Sequence, residues 1–284
     1  MQTDVKHVFY FHASATSLGG FLEEPFRHIP APCSASLSST GGLVTCASEG
    51  RNFEEFFSHG KVHTHVFGRH VKRNGPWVQR VVSIMEGFNL AGRVEATKLV
   101  THIQVEHPSP NGGARRISFA GSTIEGLRVD GIPAQLTWNP MLLPRQDRKV
   151  DAYNHEQPIE TEFEWPSLGA AAHRQGLARM ENKSAPEWVR SRYGWVSNSK
   201  DHREGSSEGY SICSLVDKID GLPPGQAHGH VIELPEVGRI FLGEVTIYPH
   251  SASLTMVRAE LGCDVTGQLD AASGVVNGTT IPPN

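Results

Sequence analysis

Hydrophobic and polar positions alternate with a period of two along much of this chain. Apolar and polar residues alternate over residues 99–105 and again over 239–248. Because successive side chains of a strand point to opposite faces, each run predicts a β-strand with one buried face. A third run, 254–261, follows a break at Pro249-His250-Ser251. We expect it to pair with the second run in a meander.

The rest of the sequence predicts further strands and little helix. Runs rich in β-branched and aromatic residues predict strands at 5–13, 61–71, 78–85, 115–119, 135–138, 160–165, 210–216 and 228–234. One helix is predicted at 167–180, with Ser167 as its N-cap. Polar, turn-rich residues at 139–158 and 197–209 predict surface loops.

These elements define the predicted fold class. We expect one all-β domain over residues 1–284, with a loop or insert region at 139–209. Its architecture is an antiparallel β-sandwich or barrel with long loops and at most one or two short helices.

An internal repeat marks the middle of the chain. The pattern Ser-x-apolar-Glu-Gly-apolar-x-apolar-x-Gly occurs at 83–92 and again at 122–131. Two copies are too few for a solenoid, which needs at least three to bury its faces. They predict two equivalent strand–turn units, either packed side by side or facing each other across a sandwich.

The glycine turns of this repeat carry a resemblance to known proteins. Residues 83–134 resemble uncharacterised bacterial all-β proteins of the "choice-of-anchor" kind, and residues 238–283 look like related hypothetical proteins. The shared motifs are structural glycines. The resemblance therefore implies a β-sandwich-like fold and implies no activity.

Charge and hydropathy narrow the range of partners. The net charge of −4 over 284 residues, without a long cluster of lysine or arginine, argues against binding to nucleic acid or to an anionic membrane. No apolar run approaches the length that spans a bilayer, and no signal peptide is visible. We therefore expect a cytoplasmic protein.

The cysteine pattern favours thiols over disulfides or zinc. The four cysteines lack CxxC spacing, which predicts free, mostly buried thiols in a reducing compartment. Cys33 and Cys46 flank the Gly41-Gly42 turn and could meet across a hairpin. Whether those two form a disulfide is left open by the sequence.

Histidine offers the first candidate site. Two His-x-His pairs, His63/His65 and His228/His230, lie within predicted strands. Residues two apart on a strand face the same side, so each pair can offer two imidazoles to one divalent metal. If the strands are neighbours, four nitrogens converge, or three with a carboxylate; Glu236 with one pair would give two histidines and one carboxylate. A His-x-His pair followed by a glutamate, with Gly225 ahead, resembles the metal motif of cupins and implies a metal-dependent enzyme. The alternative is solvent-facing or hydrogen-bonded histidines in a chain that contains 15 of them.

The repeat offers a second candidate site. Glu86 and Glu125 share strand parity with apolar neighbours, which would place both carboxylates on the apolar face of a regular strand. A carboxylate that loses hydration there can act as a general acid or base. The alternative is that the Glu-Gly step forms a bulge, which shifts the phase and leaves both side chains in water.

The densest aromatic and basic patch offers a third site. Trp188, Arg190, Arg192 and Trp195 could clamp an anionic or planar ligand through stacking and charge, although the same segment is equally consistent with a hairpin. The sequence contains no Gly-x-Ser-x-Gly elbow, Walker loop or dinucleotide fingerprint. Neither a serine nucleophile nor a nucleotide cofactor is therefore indicated.

Three functions from different classes remain open. The first is a small-molecule-binding β-protein with acid–base chemistry of the isomerase, cyclase or lyase type in an apolar pocket. The second is a metal-dependent enzyme that uses the histidine pairs. The third is a non-catalytic binding or structural module. A small-molecule ligand is the expected partner, no cofactor other than a divalent metal is indicated, and a homo-oligomer is left open.

Overall fold

A computed structural model of the chain describes residues 8–23, 26–53, 56–71, 75–109, 112–143, 163–198, 210–262 and 266–281. In chain order the strands are β1 (Val8–Glu23), β2 (Phe26–Ile29), β3 (Ser34–Ser36), β4 (Gly42–Ser48), β5 (Arg51–Phe53), β6 (Phe57–His59), β7 (Val62–His70), β8 (Trp77–Leu90), β9 (Val94–His107), β10 (Arg116–Ser118), β11 (Thr123–Glu125), β12 (Arg128–Val129), β13 (Ile132–Pro133), β14 (Gln135–Trp138), β15 (Phe163–Glu164), β16 (Ser211–Ser214), β17 (Val216–Asp220), β18 (Ala227–His228), β19 (Val231–Leu234), β20 (Gly238–Ile247), β21 (Ser251–Gly262) and β22 (Thr266–Ile281). The helices are α1 (Trp165–Glu181), α2 (Glu187–Arg192) and α3 (Trp195–Asn198).

Two large antiparallel sheets hold most of these strands. Sheet A has the strand order β18-β19-β20-β21-β22-β1-β2, with β16 paired to β20 and β3 paired to β1. Sheet B is built around β7, β8 and β9, with β4 beside β7 and with β10, β11 and β12 along β9. A separate two-stranded sheet joins β14 to β17.

The sheets stack face to face and enclose one continuous hydrophobic core. Strands β1 and β22 of sheet A lie over β7, β8 and β9 of sheet B. The sheets approach closely at Gly274 of β22, where an added Cβ atom would lie 2.6 Å from Cγ1 of Val81 on β8. This packing is a β-sandwich, which decides between the two all-β architectures that the sequence left open.

The helices cover part of the outer face of sheet A. Gln175 of α1 fastens to β16, because its side-chain amide accepts from the Ser214 N–H at 2.7 Å and donates to the Ser214 carbonyl at 3.0 Å. Arg179, one turn later, donates to the Asp217 carbonyl. Helix α2 follows α1 and continues across the same face.

The predicted repeat is confirmed as two units side by side in sheet B. Glu86 of β8 and Glu125 of β11 both pair with Lys98 of β9, from opposite sides. The correspondence continues along the strand, since Leu90 and Val129 both pair with Val94. The two copies are therefore parallel neighbours of one shared strand.

Most predicted strands are confirmed, including the β20–β21 meander, but two features of the prediction are wrong. Helix α1 begins at Trp165, with Glu164 at the N-cap position, so Ser167 lies inside the helix. The described residues contain three helices rather than at most two, because residues 187–198 form α2 and α3 instead of a hairpin. Much of the loop region predicted at 139–158 and 197–209 lies outside the described residues.

The thiols of the described cysteines are free, as the sequence favoured. Cys33, Cys46 and Cys213 form no disulfide, and Cys263 lies outside the described residues. Sγ of Cys33 lies 3.3 Å from Oγ1 of Thr64, the residue opposite Cys46 in the β4–β7 pair. Burial, together with the neighbouring Cys46 thiol, raises the pKa of Cys33 to about 11.

Candidate functional site

A buried charged network lies on the outer face of sheet A, beneath α2. Its centre is set by a break in the β20–β21 pairing at Gly243, where φ is +59° and the pairing passes from Leu242 to Glu244 without a change of register. Residues three apart on a regular strand face opposite sides, but Leu242 and Val245 both face the core, so the left-handed backbone at Gly243 shifts the side-chain alternation by one position. Phe241 and Glu244 therefore lie together on the outer face.

Two arginines from distant parts of the chain meet at these residues. Arg192 at the end of α2 and Arg258 of β21 place their guanidinium carbons 4.3 and 4.4 Å from the centre of the Phe241 ring. Glu244 joins them, with Oε1 2.6 Å from Nη2 of Arg192 and Oε2 2.9 Å from Nη2 of Arg258. We call Arg192, Phe241, Glu244 and Arg258 the Phe241 cluster.

The electrostatics of the cluster favour an ionised Glu244. Burial alone would raise the pKa of this carboxyl, but the facing His230 and the charges of Arg258 and Arg192 outweigh burial and lower it to about 2. His230 is fully buried, and burial lowers its pKa. Burial raises the pKa of Asp270, the residue opposite Arg258 on β22. The cluster thus combines a firmly ionised carboxylate with a neutral imidazole.

Several polar atoms around the cluster have no hydrogen-bond partner among the described residues. They include the hydroxyl of Tyr193 and both ring nitrogens of His230. Nε2 of His230 comes within 3.7 Å of Glu244, which is longer than a good hydrogen bond. Buried polar groups are normally satisfied by protein or by ordered water. The unpartnered atoms of Tyr193 and His230 are therefore positions where ordered water or a polar ligand group would be favourable.

The cluster extends outward to an open cleft through Glu260. Oε1 of Glu260 lies 3.2 Å from Arg258 and 3.6 Å from Arg192, so both half-buried arginines hold the carboxylate in place. The cleft beyond has a volume of about 840 Å³. Its lining combines charged and polar side chains with a wall of prolines and leucines: Pro223, Pro224, Gln226, Glu233, Leu234, Pro235, Arg239, Glu260 and Leu261. We call this concavity the Glu260 cleft.

A second set of contacts fixes the other charges of the cleft. The Arg239 guanidinium stacks over the Trp188 ring at 4.0 Å and lies 3.6 Å from Glu233. Glu233 also accepts from the Trp188 indole N–H at 3.3 Å and lies 3.8 Å from His228. Arg239, Glu233 and Glu260 are each half-buried, so their polar heads are held firmly while still facing the cleft.

The structure brings together two predicted sites that the sequence treated separately. Trp188 and Arg192 of the aromatic and basic patch lie beside His228 and His230 of the second histidine pair. The clamp predicted from the patch does not form as a unit. Arg190 is exposed, and Trp195 packs against the hydrophobic core.

The two histidine pairs lie on opposite outer faces of the sandwich. His63 and His65 lie on sheet B, beside Val82 and Ile84, whereas His228 and His230 adjoin sheet A. They cannot converge on one metal ion. Glu236, the expected carboxylate ligand, is largely exposed and lies 3.9 Å from Arg93.

The two histidine pairs also differ in their local geometry. The rings of His63 and His65 are 6.1 Å apart between centroids, and burial lowers the pKa of His63. Positive φ at Gly229 breaks the strand between His228 and His230, so they contact different partners. Within the part of the chain that the structure describes, no three histidine, cysteine or acidic side chains group as metal ligands.

The two repeat glutamates are exposed. Positive φ at Gly87 and Gly126 interrupts the pairing with β9 after each glutamate, and the pairing then resumes in the same register. The Glu-Gly step thus leaves both side chains in water, as the alternative predicted, but without the extra residue of a bulge. Glu86 and Glu125 flank Lys98 on the outer face of sheet B instead of facing an apolar pocket. The loss of hydration on which the acid–base hypothesis rested is therefore absent at these positions.

Sequence reasoning missed most of the residues that build the site. Glu244, Arg258, Glu260 and Tyr193 carry no recognisable motif, and Arg192 meets Glu244 only through the tertiary fold. One local signal was present, since the Gly243-Glu244 step interrupts an apolar strand much as the Glu-Gly steps of the repeat do.

Fold and site together define a β-sandwich protein with a charged cleft on one outer face. The chain belongs to the family described as domain of unknown function DUF8256, whose model matches residues 9–248. No curated protein and no solved structure matches the chain. The resemblance to choice-of-anchor proteins stays a prediction, because these comparisons do not bear on it.

Helix length and hydropathy bear on membrane insertion. No helix among the described residues is long and apolar enough to cross a bilayer.

Proposed function

We propose that this chain is a small-molecule-binding β-sandwich protein whose ligand occupies the Glu260 cleft. The observation that carries the proposal is preorganisation of charge around a concavity. Glu260 is held by Arg192 and Arg258, and Arg239 is held by Trp188 and Glu233. Side chains locked by a supporting layer bind ligands without losing further conformational entropy.

The size and lining of the cleft support the same proposal. A volume of about 840 Å³ falls within the range of small-molecule pockets, which is roughly 300–1,000 Å³. Such pockets pair an apolar wall with a few placed polar groups. Here Pro223, Pro224 and Leu261 supply the wall, and Glu233, Arg239 and Glu260 supply the polar groups.

Ligand-induced stabilisation tests this proposal. The protein is screened by thermal unfolding against a library of small polar metabolites, since a ligand that binds only the folded state raises the Tm. We expect stabilising compounds whose effect is lost in Arg239→Met and kept in Glu125→Gln. The second variant removes a strand carboxylate on the other sheet and serves as the matched control.

Two results would contradict the proposal. The first is a library that contains no stabilising compound. The second is a stabilising compound whose effect is the same in Arg239→Met as in the unmodified chain.

A further inference from the structure

We infer that the ligand of the Glu260 cleft is an uncharged, hydroxyl-rich molecule, of which carbohydrates and polyols are the chemical class. This inference rests on the proposed function and concerns the nature of the ligand at the same site. It follows from the way in which the charged side chains of the cleft, Glu233, Arg239 and Glu260, are already paired within the protein.

The negative groups of the cleft are neutralised by the protein itself. Glu260 lies within 3.6 Å of both Arg192 and Arg258, and Glu233 lies 3.6 Å from Arg239. A cationic ligand would have to compete with these guanidinium groups for the same oxygens. The cleft therefore offers a cation little net attraction.

An anionic ligand is disfavoured for a related reason. Arg239 is the cationic side chain that lines the cleft among the described residues, and it faces two carboxylates there. One of its faces is occupied by the Trp188 ring at 4.0 Å. An anion that approached Arg239 would meet Glu233 and Glu260 at the same time, and like charges at close range are costly.

Hydroxyl groups suit this arrangement without disturbing it. Each hydroxyl is both a donor and an acceptor, so neighbouring hydroxyls can donate to a carboxylate and accept from a guanidinium. A half-buried carboxylate keeps lone pairs that its arginine partners leave free. Acceptors and donors of this kind lie in one concavity: the carboxylates of Glu233 and Glu260, the guanidinium of Arg239 and the amide of Gln226.

The apolar residues of the lining fit the remaining surface of such a ligand. Apolar surface in the same concavity comes from Pro223, Pro224 and Pro235, with the exposed edges of the largely buried Leu234 and Leu261. The carbon-bound hydrogens of a sugar or polyol would pack against these residues, while its hydroxyls bind the charged groups. A lining that combines apolar and charged residues gives the cleft its selectivity.

Calorimetric titration of the full chain with three kinds of probe tests the inference. The uncharged probes are glucose, galactose, xylose, cellobiose and glycerol; the anionic probes are phosphate and citrate; the cationic probe is spermidine. We expect at least one uncharged probe to bind saturably, and to bind at least tenfold more weakly to Arg239→Met. Glu125→Gln should bind that probe as the unmodified chain does.

Salt dependence provides a second readout that does not depend on any substitution. Binding of an uncharged ligand should change little between about 0.05 M and about 0.5 M NaCl, whereas binding of an ion weakens as salt screens exposed charges. A change of less than twofold in Kd is the expected result. A steep loss of affinity for the winning probe would overturn the inference.

The outcomes separate this inference from the proposal beneath it. If phosphate, citrate or spermidine binds and loses affinity in Arg239→Met, while the uncharged probes do not bind, the inference fails and the cleft remains a small-molecule site. If no probe binds, and the metabolite library also yields no ligand, both fail. Binding of an uncharged probe that Arg239→Met leaves unchanged would place that ligand elsewhere and overturn the inference.

Discussion

Glutamates lie beside glycines of left-handed backbone conformation in two regions of this molecule, with opposite surroundings. On sheet B, Glu86 and Glu125 precede Gly87 and Gly126 and are exposed. On sheet A, Glu244 follows Gly243 and is almost fully buried between two arginines. The backbone conformation is similar in the two regions, since each of these glycines has φ near +60°.

The difference lies in what covers each sheet. Helix α2 crosses the outer face of sheet A and brings Arg192 down onto Glu244. On sheet B the glutamates pair with Lys98 in the strand register and remain in solvent. The positive-φ glycine sets the face of the sheet on which the neighbouring carboxylate lies. Whether that carboxylate is buried in a site depends on whether another element, such as α2, covers that face.

Acid should have the largest effect, because buried titratable groups lie on both sheets and not only beside Glu244. Burial lowers the pKa of His102 and of His107 to about 3, and the arginines and His230 lower that of Glu244 to about 2. The unfolded chain binds these protons near pH 6.5 for histidine and near 4.5 for glutamate, so it holds more protons than the folded chain at intermediate pH. The free energy of unfolding should therefore fall from pH 6.5 toward pH 3, by up to about 1.4 kcal/mol per pH unit for each such histidine.

Urea unfolding at a series of pH values measures this slope. Replacement of His102 by Phe removes one titrating group and should flatten the curve between pH 6.5 and pH 3. A curve that is level over that interval would contradict the assignment of buried, neutral histidines.

Removal of the Glu244 charge should have the next largest effect. Glu244→Gln removes the buried carboxylate that Arg192 and Arg258 share and leaves them only the partly exposed Glu260 among their described partners. Breaking a buried ion pair costs about 3 kcal/mol or more. Urea unfolding at neutral pH measures the loss. Glu125→Gln is the exposed counterpart, and equal losses in the two variants would remove the distinction between the regions.

The two positive-φ glycines should be equally sensitive to substitution. Gly87→Ala and Gly243→Ala each place a side chain at positive φ, which costs about 1 kcal/mol wherever it occurs. Gly169→Ala in α1 is the control, because open space surrounds that position and alanine favours helix by about 1 kcal/mol. A much larger loss at Gly87 than at Gly243, or the reverse, would show that the two positions are not equivalent.

The exposed row should have the smallest effect. Lys98→Met and Glu86→Gln alter a solvated charge row, and surface substitutions of this kind stay within about 0.5 kcal/mol. Thermal unfolding in low and high salt detects any contribution. A loss above about 1 kcal/mol would show that this row supports the sheet.

The alternation of apolar and polar residues predicted much of the fold. It predicted little where tertiary packing, rather than exposure of one strand face, determines the residue types. Strands β7 and β9 follow the two-residue period closely enough to be read from sequence, and β20 follows it on either side of Gly243. Strand β22, in contrast, is built from small residues such as Ala271, Ala272 and Gly274, so alternation is faint there. Those residues are small because β1 and β22 press against sheet B, and only tertiary packing requires that.

The site was predictable only in fragments. Trp188, Arg192 and His230 were candidates because of their residue types and spacing, and the structure places all three in or beside the Phe241 cluster. Glu244, Arg258 and Glu260 were not, because each looks like an ordinary polar residue of an alternating strand. Their role depends on where α2 lies, and local sequence carries no record of that contact.

The shared register of the repeat makes β9 a common pairing partner for two segments of similar sequence. Lys98 and Val94 of β9 each pair with a residue of the first copy on one edge and with the equivalent residue of the second copy on the other. A change of backbone geometry at either position of β9 would therefore be transmitted to both copies at once.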